Sequence, residues 1–192
     1  MIQVAVKPLP RCLVTERLIL RQWAEGDLEP FAQMNQDPMV MEHFPKMHSR
    51  DESKAIMSRI SGHFDDFGFG LWATELRETE EFIGFIGLQN VFFESHFSPC
   101  VEVGWRLSQK HWGRGYAPEG ASAALTDAFD RLPLQEVVSM TAATNLNSMR
   151  VMQKLGMTRD PNDDFEHPNI EPGSKVRPHV LYRISRDAWL NR

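Results

Sequence analysis

The fold is decided at Lys110-His111-Trp112-Gly113-Arg114-Gly115-Tyr116-Ala117-Pro118-Glu119, just past the middle of a 192-residue chain. A strand-like run, residues 101–107, precedes this stretch, and an alanine-rich run of helical character, residues 121–129, follows it. The two glycines allow a tight turn with accessible backbone N–H groups, and the helix behind them adds a partial positive charge at its N-terminus. The sequence therefore predicts an anion-binding loop, and phosphate is the anion that suits it best.

Three phosphate carriers compete for such a loop. A dinucleotide fingerprint requires a third glycine three positions after Gly115, where this chain has Pro118, and it usually opens the first βαβ unit. A nucleoside-triphosphate loop requires G-x-x-x-x-G-K-[ST], which the sequence lacks. The third carrier is coenzyme A, which bears a pyrophosphate and an acyl group. A plain turn is the alternative interpretation of two closely spaced glycines.

The composition indicates an ordinary globular protein, with 42% apolar and 24% charged residues and a length that suits one domain. A net charge of −5 argues against a general nucleic-acid or anionic-membrane binder. Cys12 and Cys100 have neither metal-ligand spacing nor a disulfide framework, and the histidines are scattered, so we expect no metal and a cytoplasmic location. Residues 1–10 lack the apolar core of a signal peptide, and no run is long enough to span a bilayer.

Hydrophobic periodicity predicts strands followed by alternating strands and helices, which indicates a mixed α/β sheet in one domain over residues 1–192. Ser49 and Glu52 form a capping box that starts a helix with Ile56, Ile60, Phe64 and Phe67 on its apolar face. The proline-rich and acidic residues 158–179 predict a long loop on the substrate side, and residues 1–12 predict a flexible segment. The predicted strands are residues 17–21, 69–76, 82–88, 101–107, 136–141 and 180–184, and the predicted helices are 27–35, 49–67, 121–129 and 145–155.

A second motif runs from Asn145 to Met157. It places polar residues on the first turns of a helix, while Val151, Met152 and Leu155 form its buried stripe. Asn145 can cap this helix, and Ser148 can be an ordinary serine of its first turn. Because both follow a predicted strand, both can also face a ligand that leaves the glycine loop.

These motifs together resemble the GNAT superfamily of acyl-CoA-dependent N-acetyltransferases, and more narrowly its RimJ/RimL-like branch, the ribosomal-protein N-terminal acetyltransferases. The glycine loop alone would be weak support, but the ordered set covers nearly the whole chain. The matching stretches are residues 13–21, Asn35 with Asp37-Pro38, residues 82–88, Glu102-Val103-Gly104-Trp105, residues 112–117, Asn145 to Met157, and residues 179–183.

The resemblance implies the GNAT fold: a mixed, mostly antiparallel twisted sheet of about six or seven strands flanked by about four helices. It also implies a V-shaped split between the Val101 and Glu136 strands. Acetyl-CoA is the implied cosubstrate. By the resemblance, Leu107 and Ser108 pair through their backbone with the pantetheine arm, and Lys110 stands where the family has Gln or Arg. The remaining implied coenzyme contacts are Trp112, Gly113, Arg114, Gly115, Tyr116, Ala117, Asn145, Asn147 and Ser148.

Acetyl transfer requires a neutral amine and a proton for the leaving thiolate. Many GNAT enzymes have a tyrosine acid where this chain has Met152, so Ser148 is the hydroxyl predicted to serve the sulfur. Its alternative role is structural capping or a coenzyme contact only. Glu102 is the leading base candidate, since alternation places Glu102, Gly104 and Arg106 on one face of their strand. An ion pair between Glu102 and Arg106 is the competing interpretation.

The predicted function is acetyl transfer from acetyl-CoA to a primary amine, either a protein N-terminus or a small molecule, by direct attack in a ternary complex. Glu166 and His167 are secondary candidates for substrate binding, and the acidic residues near them could attract a cationic amine. The alternatives are a non-catalytic acyl-CoA sensor and transfer of a longer acyl group. The sequence leaves the acceptor open, and the chain could be a monomer or a homodimer.

Overall fold

The computed structural model describes residues 12–192. Of the segment predicted to be flexible, residues 1–11 lie outside this range, and Cys12 begins the first strand. The strands are β1 Cys12–Val14, β2 Leu18–Arg21, β3 Leu71–Leu76, β4 Phe82–Val91, β5 Cys100–Leu107, β6 Glu136–Ala142, β7 Thr158–Arg159, β8 Phe165–Glu166 and β9 Pro178–Ser185. The α-helices are α1 Leu28–Asn35, α2 Arg50–Phe67, α3 Tyr116–Arg131, α4 Leu146–Lys154 and α5 Arg186–Leu190.

All the strands join one sheet in the order β1-β2-β3-β4-β5-β6-β9-β7, and β8 also pairs with β9. Every pairing is antiparallel except that of β5 with β6. The predicted single-domain α/β fold is confirmed. The sheet has more strands than predicted, and α5 is an additional helix, because β7, β8 and α5 are too short to produce a periodic pattern in the sequence.

The sheet is split between β5 and β6, as predicted. β4 and β5 pair continuously from Gly84–Leu107 to Val91–Cys100. By contrast, the parallel pairing of β5 with β6 is confined to Glu102 opposite Val138, near the start of both strands. Beyond that pair the facing edges of the two strands are not joined, so a gap opens toward their C-terminal ends.

Helix α3 lies close against the sheet beside this gap. Gly120 permits the approach, because a Cβ atom there would lie only 2.5 Å from Cδ1 of Ile86 in β4. Ala121, Ala124 and Ala128 are fully buried on the same helix, where small side chains let the backbone come near the strands. The alanine-rich composition therefore sets the position of the N-terminus of α3 relative to the gap.

The N-terminus of α2 is capped as predicted: the Ser49 hydroxyl accepts from the Glu52 amide, and the Glu52 carboxylate accepts from the Ser49 amide. Ile60 and Phe64 are buried on its apolar face. Phe67 is 44% exposed, contrary to its predicted place on that face. It ends the helix next to left-handed Gly68, and its ring contacts Phe92 at the surface.

The segment predicted as a long loop, residues 158–179, contains β7, a 3₁₀ turn at Pro161–Asp163 and β8. Three of its acidic side chains are paired within the protein. Asp163 contacts Arg183 at 2.8 Å, Asp164 pairs with Arg159, and Glu166 lies 3.0 Å from Arg177. The Asp163 pair fastens the segment to β9 and the other two pairs lie within the segment, so these three charges stabilise its own structure.

Candidate active site

The glycine loop has the backbone geometry of an anion site. Gly113 and Gly115 adopt left-handed conformations, with φ of 73° and 83°, and Gly115 caps α3. In the described part of the chain, none of the five successive amides of residues 113–117 donates a hydrogen bond. Because all five lie at a helix N-terminus, an anion placed there would receive several N–H donors and the favourable end of the helix dipole.

Arg17, which precedes β2, and Glu119 in the first turn of α3 hold this loop in place. The Glu119 carboxylate accepts from the Thr15 hydroxyl at 2.6 Å, from the Arg17 amide at 2.9 Å and from Nε of Arg17 at 2.7 Å. Nη1 of Arg17 donates to the carbonyl of Arg114 at 2.9 Å, and its guanidinium lies over the Tyr116 ring. The loop is thereby tied to the first strands of the sheet while its amides stay unengaged.

The cationic side chains of the loop have different surroundings. Lys110 forms an ion pair with Glu81, so part of its charge is already compensated. Arg114 is exposed, and its guanidinium contacts no acidic side chain within residues 12–192. His111 is buried, and burial lowers the pKa of its imidazole. Arg114 is therefore the loop cation best placed to meet an anionic ligand.

Leu107 and Ser108 lie at the end of β5, but only Leu107 faces the gap. The Ser108 amide donates to the Ile83 carbonyl in β4 at 2.9 Å, which makes Gly84–Leu107 a non-hydrogen-bonded pair. The N–H and C=O of Leu107 therefore point away from β4. Ser108 has no free backbone amide for the predicted pairing with the pantetheine arm, because its amide donates to β4, and its carbonyl already accepts from the His111 amide.

Trp112 closes the end of the gap beside Leu107. Its indole Nε1 donates to the Leu107 carbonyl at 2.8 Å, and 38% of the residue remains exposed. This bond uses one of the two backbone groups that Leu107 turns toward the gap. The Leu107 amide is the group that a strand-like ligand arm would meet there.

Asn145 organises the N-terminus of α4. Its Oδ1 accepts from the Ser148 amide at 3.1 Å, while its Nδ2 donates to Thr141 Oγ1 at 3.0 Å and to Ser148 Oγ at 3.1 Å. Asn145 is therefore the predicted cap and also a positioning residue. Since Ser148 Oγ accepts from an amide, its own hydrogen is free to be donated elsewhere. Asn147 is exposed on the same turn and accepts from Arg150 at 3.2 Å.

Glu102 is a half-buried carboxylate beside the start of the gap. Burial raises its pKa to about 7, although a hydrogen bond from Gln89, 2.9 Å away, and one from the Met140 amide in β6 oppose the shift. A carboxylate with this pKa exchanges protons near neutrality, as a general base requires. The competing ion pair with Arg106 is not formed, because Arg106 donates to Asn35 Oδ1 at 2.7 Å instead.

The alternation predicted for β5 is confirmed, and it gives the gap two distinct sides. Val103 and Leu107 are buried in the core that α3 covers. Arg106 points to the other side, where it meets Asn35 of α1 and lies 4.0 Å from the centre of the Phe44 ring. Glu102 shares this side with Arg106 because both have the same parity along the strand.

Glu166 and His167 lie elsewhere. Glu166 pairs with Arg177, and the His167 ring packs between Phe93, 4.7 Å away, and His179, 4.9 Å away. Burial and His179 lower the pKa of His167 to about 4, so it is neutral at physiological pH. Among the described residues no contact joins these two to Glu102 or Ser148, and the structure does not bring them together with the other predicted site residues.

Several residues that contact Glu102, Asn145 and Arg106 were not predicted from the sequence. Gln89 reaches Glu102 from β4, Thr141 reaches Asn145 from β6, and Asn35 and Phe44 enclose Arg106 from α1 and the segment after it. Gln89 meets Glu102 through the register of β4 against β5, and Asn35 meets Arg106 across 71 residues of chain, so no spacing within the sequence signals these contacts. Thr141 is different, because it lies only four residues before Asn145 at the turn from β6 into α4.

Within residues 12–192, no group of three or more His, Cys, Asp or Glu side chains could hold a metal ion. None of the helices in the same range has the length and apolar character needed to cross a membrane.

Comparison with known proteins places these features in a family. The profile of the acetyltransferase (GNAT) domain matches residues 17–158. The FsC-acetyl coenzyme A-N(2)-transacetylase of Aspergillus fumigatus is 32% identical over 189 residues, which cover 93% of this chain and 77% of that protein. The N-acetyltransferase YnaD of Bacillus subtilis is 26% identical over 178 residues, 92% of this chain and 98% of that protein.

Solved structures show the same fold. An acetyltransferase from Agrobacterium tumefaciens superposes with a TM-score of 0.73 at 29% identity, covering 93% of this chain and 95% of that one. The spermidine N-acetyltransferase of Vibrio cholerae, solved with CoA and spermine, has a TM-score of 0.72 at 18% identity and covers 92% of this chain and 100% of that one. The chain therefore belongs to the GNAT acetyltransferase family and is an N-acetyltransferase, an enzyme that moves an acetyl group to an amine.

Proposed function

We propose that this enzyme takes the acetyl group of acetyl-CoA and passes it directly to a primary amine while both substrates are bound. The observation that carries the proposal is the row of five unengaged amides at residues 113–117, at the N-terminus of α3 and next to the β5–β6 gap. The row suits the pyrophosphate of coenzyme A, and the gap suits its pantetheine arm. Bound in this way, acetyl-CoA supplies an activated acetyl thioester.

The donor side would be held by the backbone of the loop from Trp112 to Ala117, with Arg114 as the free cation. The Leu107 amide faces the gap and would pair with the pantetheine arm as a neighbouring strand would. Asn145 and Asn147, at the start of α4, are the further predicted contacts. Lys110 contributes least, because Glu81 already balances its charge.

Glu102 would act as the general base. It accepts a proton from the attacking amine as the nitrogen bonds to the acetyl carbon and the carbon–sulfur bond breaks. Its pKa of about 7 leaves it substantially ionised at neutral pH while keeping it basic enough to accept that proton. Burial, rather than a neighbouring anion, produces this value.

Ser148 would stabilise the departing sulfur. Its hydroxyl oxygen accepts from Asn145, which directs its hydrogen away from that residue. The hydroxyl would then donate to the thiolate as negative charge develops there. Met152 occupies the position where many family members have a tyrosine, but it is buried in the core and does not reach the gap.

The RimJ/RimL-like assignment would make a protein N-terminus the acceptor, and a small-molecule amine is the other candidate within this proposal. The similar proteins include one named a spermidine N-acetyltransferase, from Vibrio cholerae. Transfer of a longer acyl group would require room beside Ser148.

Two measurements test the proposal. Calorimetric titration with acetyl-CoA should show saturable binding, and the absence of binding at millimolar ligand would refute the donor assignment. Thiol release should then be followed over a panel of primary amines and N-terminal peptides. Binding without release for every amine would favour the acyl-CoA sensor instead.

A further inference from the structure

The acceptor side of β5 contains a groove with Gly104 at its floor. Gly104 lies opposite Gly87 in β4, so neither strand places a side chain between the pairs Glu102–Gln89 and Arg106–Phe85. A Cβ atom at Gly104 would meet nothing within 4 Å. Glu102 and Arg106 border this space from either end, with their Cα atoms about 13 Å apart along the strand.

Arg106 is a half-buried cation with no acidic partner among residues 12–192. Its Nη1 donates to the neutral amide of Asn35, and the face of its guanidinium lies over the Phe44 ring. In the described range no acceptor meets Nε or Nη2, and Nε is fully enclosed. A buried cation left in this state is costly, and such a cation is usually completed by an anion.

Nη2 is the open edge of the Arg106 guanidinium, because Nη1 is engaged by Asn35 and Nε is enclosed by the protein. Nη2 can donate a charge-assisted hydrogen bond to a carboxylate. Burial and the nearby Arg59 lower the pKa of Arg106 to about 10, so it stays charged at neutral pH. The neutral Asn35 leaves that charge uncompensated.

The phosphates of coenzyme A are not the anion that this edge would bind. They would be held at the N-terminus of α3, which packs against the face of β5 that carries Val103 and Leu107. Arg106 lies on the opposite face, beneath α1 and Phe44. An anion bound at Arg106 would therefore belong to the acceptor.

We propose that the acceptor is an amine with a free carboxylate, such as an amino acid, whose carboxylate binds the Nη2 edge of Arg106 while its amine lies over Gly104 beside Glu102. This inference rests on the proposed function, since it assigns the acceptor of that same site. It also excludes polyamines, because an all-cationic acceptor would be repelled by Arg106 and by the nearby Arg59.

The test compares L-amino acids with their own C-terminal carboxamides, and with spermidine as a cationic amine. The ratio of kcat/KM for acid over amide should fall at least about tenfold in Arg106→Gln relative to the wild type. Comparing the ratio between proteins removes the effect of the different basicity of the two amines. A merely structural role for Arg106 would lower both values equally and leave the ratio unchanged, which would overturn the proposal.

Asn35→Asp provides a second variant in case Arg106→Gln folds poorly. An aspartate there would neutralise Arg106 through Nη1. It would lose the hydrogen bond that Asn35 Nδ2 now donates to Ser53 Oγ at 3.0 Å, while Ser53 keeps its own bond to the Ser49 carbonyl at 2.8 Å. We expect the acid-over-amide ratio to fall in this variant as well. Coenzyme A affinity, measured by calorimetry, should stay unchanged in both variants because the donor lies across the sheet.

A binding readout separates this inference from the proposed function. The same amino acids and amides are titrated into the wild-type protein saturated with coenzyme A. Tighter binding of the acids, lost in Arg106→Gln, supports the carboxylate site even if no acetyl transfer is seen. Equal binding of acids and amides, or preferred turnover of spermidine, contradicts the carboxylate site while leaving the acetyltransferase proposal in place.

Discussion

The two sides of the β5–β6 gap differ in the groups that they present: backbone amides on one side and side chains on the other. Under the proposed function, the groups that would bind the donor are consecutive backbone amides, shaped by two left-handed glycines and the N-terminus of α3. The groups that would surround the acceptor are side chains from separate elements: Glu102 and Arg106 from β5, Gln89 from β4 and Asn35 from α1. Single substitutions would then change the acceptor while donor binding stays constant, because a side chain can be replaced without altering the loop backbone.

The largest effect should come from Glu102→Gln. The change keeps the size of the side chain and removes its basicity, so we expect kcat/KM to fall about 10²- to 10⁴-fold. Acetyl-CoA affinity should not change, because Glu102 lies on the acceptor side. Thiol release and calorimetry measure the two quantities. Glu136→Gln is the control, since it removes an exposed carboxylate that pairs with Arg183. Activity within threefold of wild type would remove Glu102 from the base role.

Ser148→Ala tests whether a side chain on the donor side also takes part in the chemistry. Losing a hydrogen bond to a developing thiolate should reduce turnover by ~10- to 100-fold, the equivalent of about 1.5–3 kcal/mol. Coenzyme affinity should change little. Ser122→Ala is a matched control, because it also removes a half-buried helical hydroxyl that accepts one hydrogen bond, here from Arg192 at 2.9 Å. Equal turnover in both variants would leave Ser148 a structural role only.

The pH dependence of kcat/KM should reflect the titration of Glu102 on the acceptor side. Because burial raises the pKa of Glu102 to about 7, its basic form is lost as the pH falls below that value. We expect kcat/KM to decrease about tenfold per pH unit below pH 7 and to level above it, apart from the titration of the amine itself. The same profile measured for Glu102→Gln should lack the limb near pH 7. Identical profiles would assign that limb to the amine.

The smallest expected effect is the loss of coenzyme A affinity in Gly113→Ala. Gly173→Ala is the control for backbone strain outside the loop. Gly113 and Gly173 both have positive φ, 73° and 85°, and a Cβ atom at either meets nothing within 4 Å. Alanine should therefore cost each variant about 1 kcal/mol of stability, measured by thermal unfolding. Coenzyme A affinity should weaken about fivefold only in Gly113→Ala, because only that strain falls on the loop amides. Equal affinities would show that the loop does not bind the coenzyme.

Most of the fold could be predicted because its signals are local. The capping box of α2, the alternation of β5 and the Asn145 cap each depend on residues a few positions apart. The short strands β7 and β8 could not be predicted, since two residues carry no period. They form because β9 offers an edge, and that edge exists only after the sheet has assembled.

The candidate site also has features that the sequence predicts and features that depend on tertiary packing. The sequence placed Glu102 and Ser148 on the correct elements and identified the glycine loop from its residue types. It could not show whether Arg106 pairs with Glu102 or with Asn35, because the contact with Asn35 depends on how α1 packs against β5. Nor could it show that the Ser108 amide is used by Ile83, which follows from the register of β4 against β5.

By itself, the sequence determined the glycine turn at the N-terminus of α3, because tight backbone turns and helix N-termini follow from neighbouring residues. Only the tertiary structure decided the state of the charged groups: the burial that raises the pKa of Glu102, and the neutral partner that leaves Arg106 uncompensated. Burial and pairing depend on elements that are distant in the chain and meet only when the sheet and α1 come together. The physical reason is that backbone geometry is a local property, whereas desolvation and charge compensation are properties of the packed molecule.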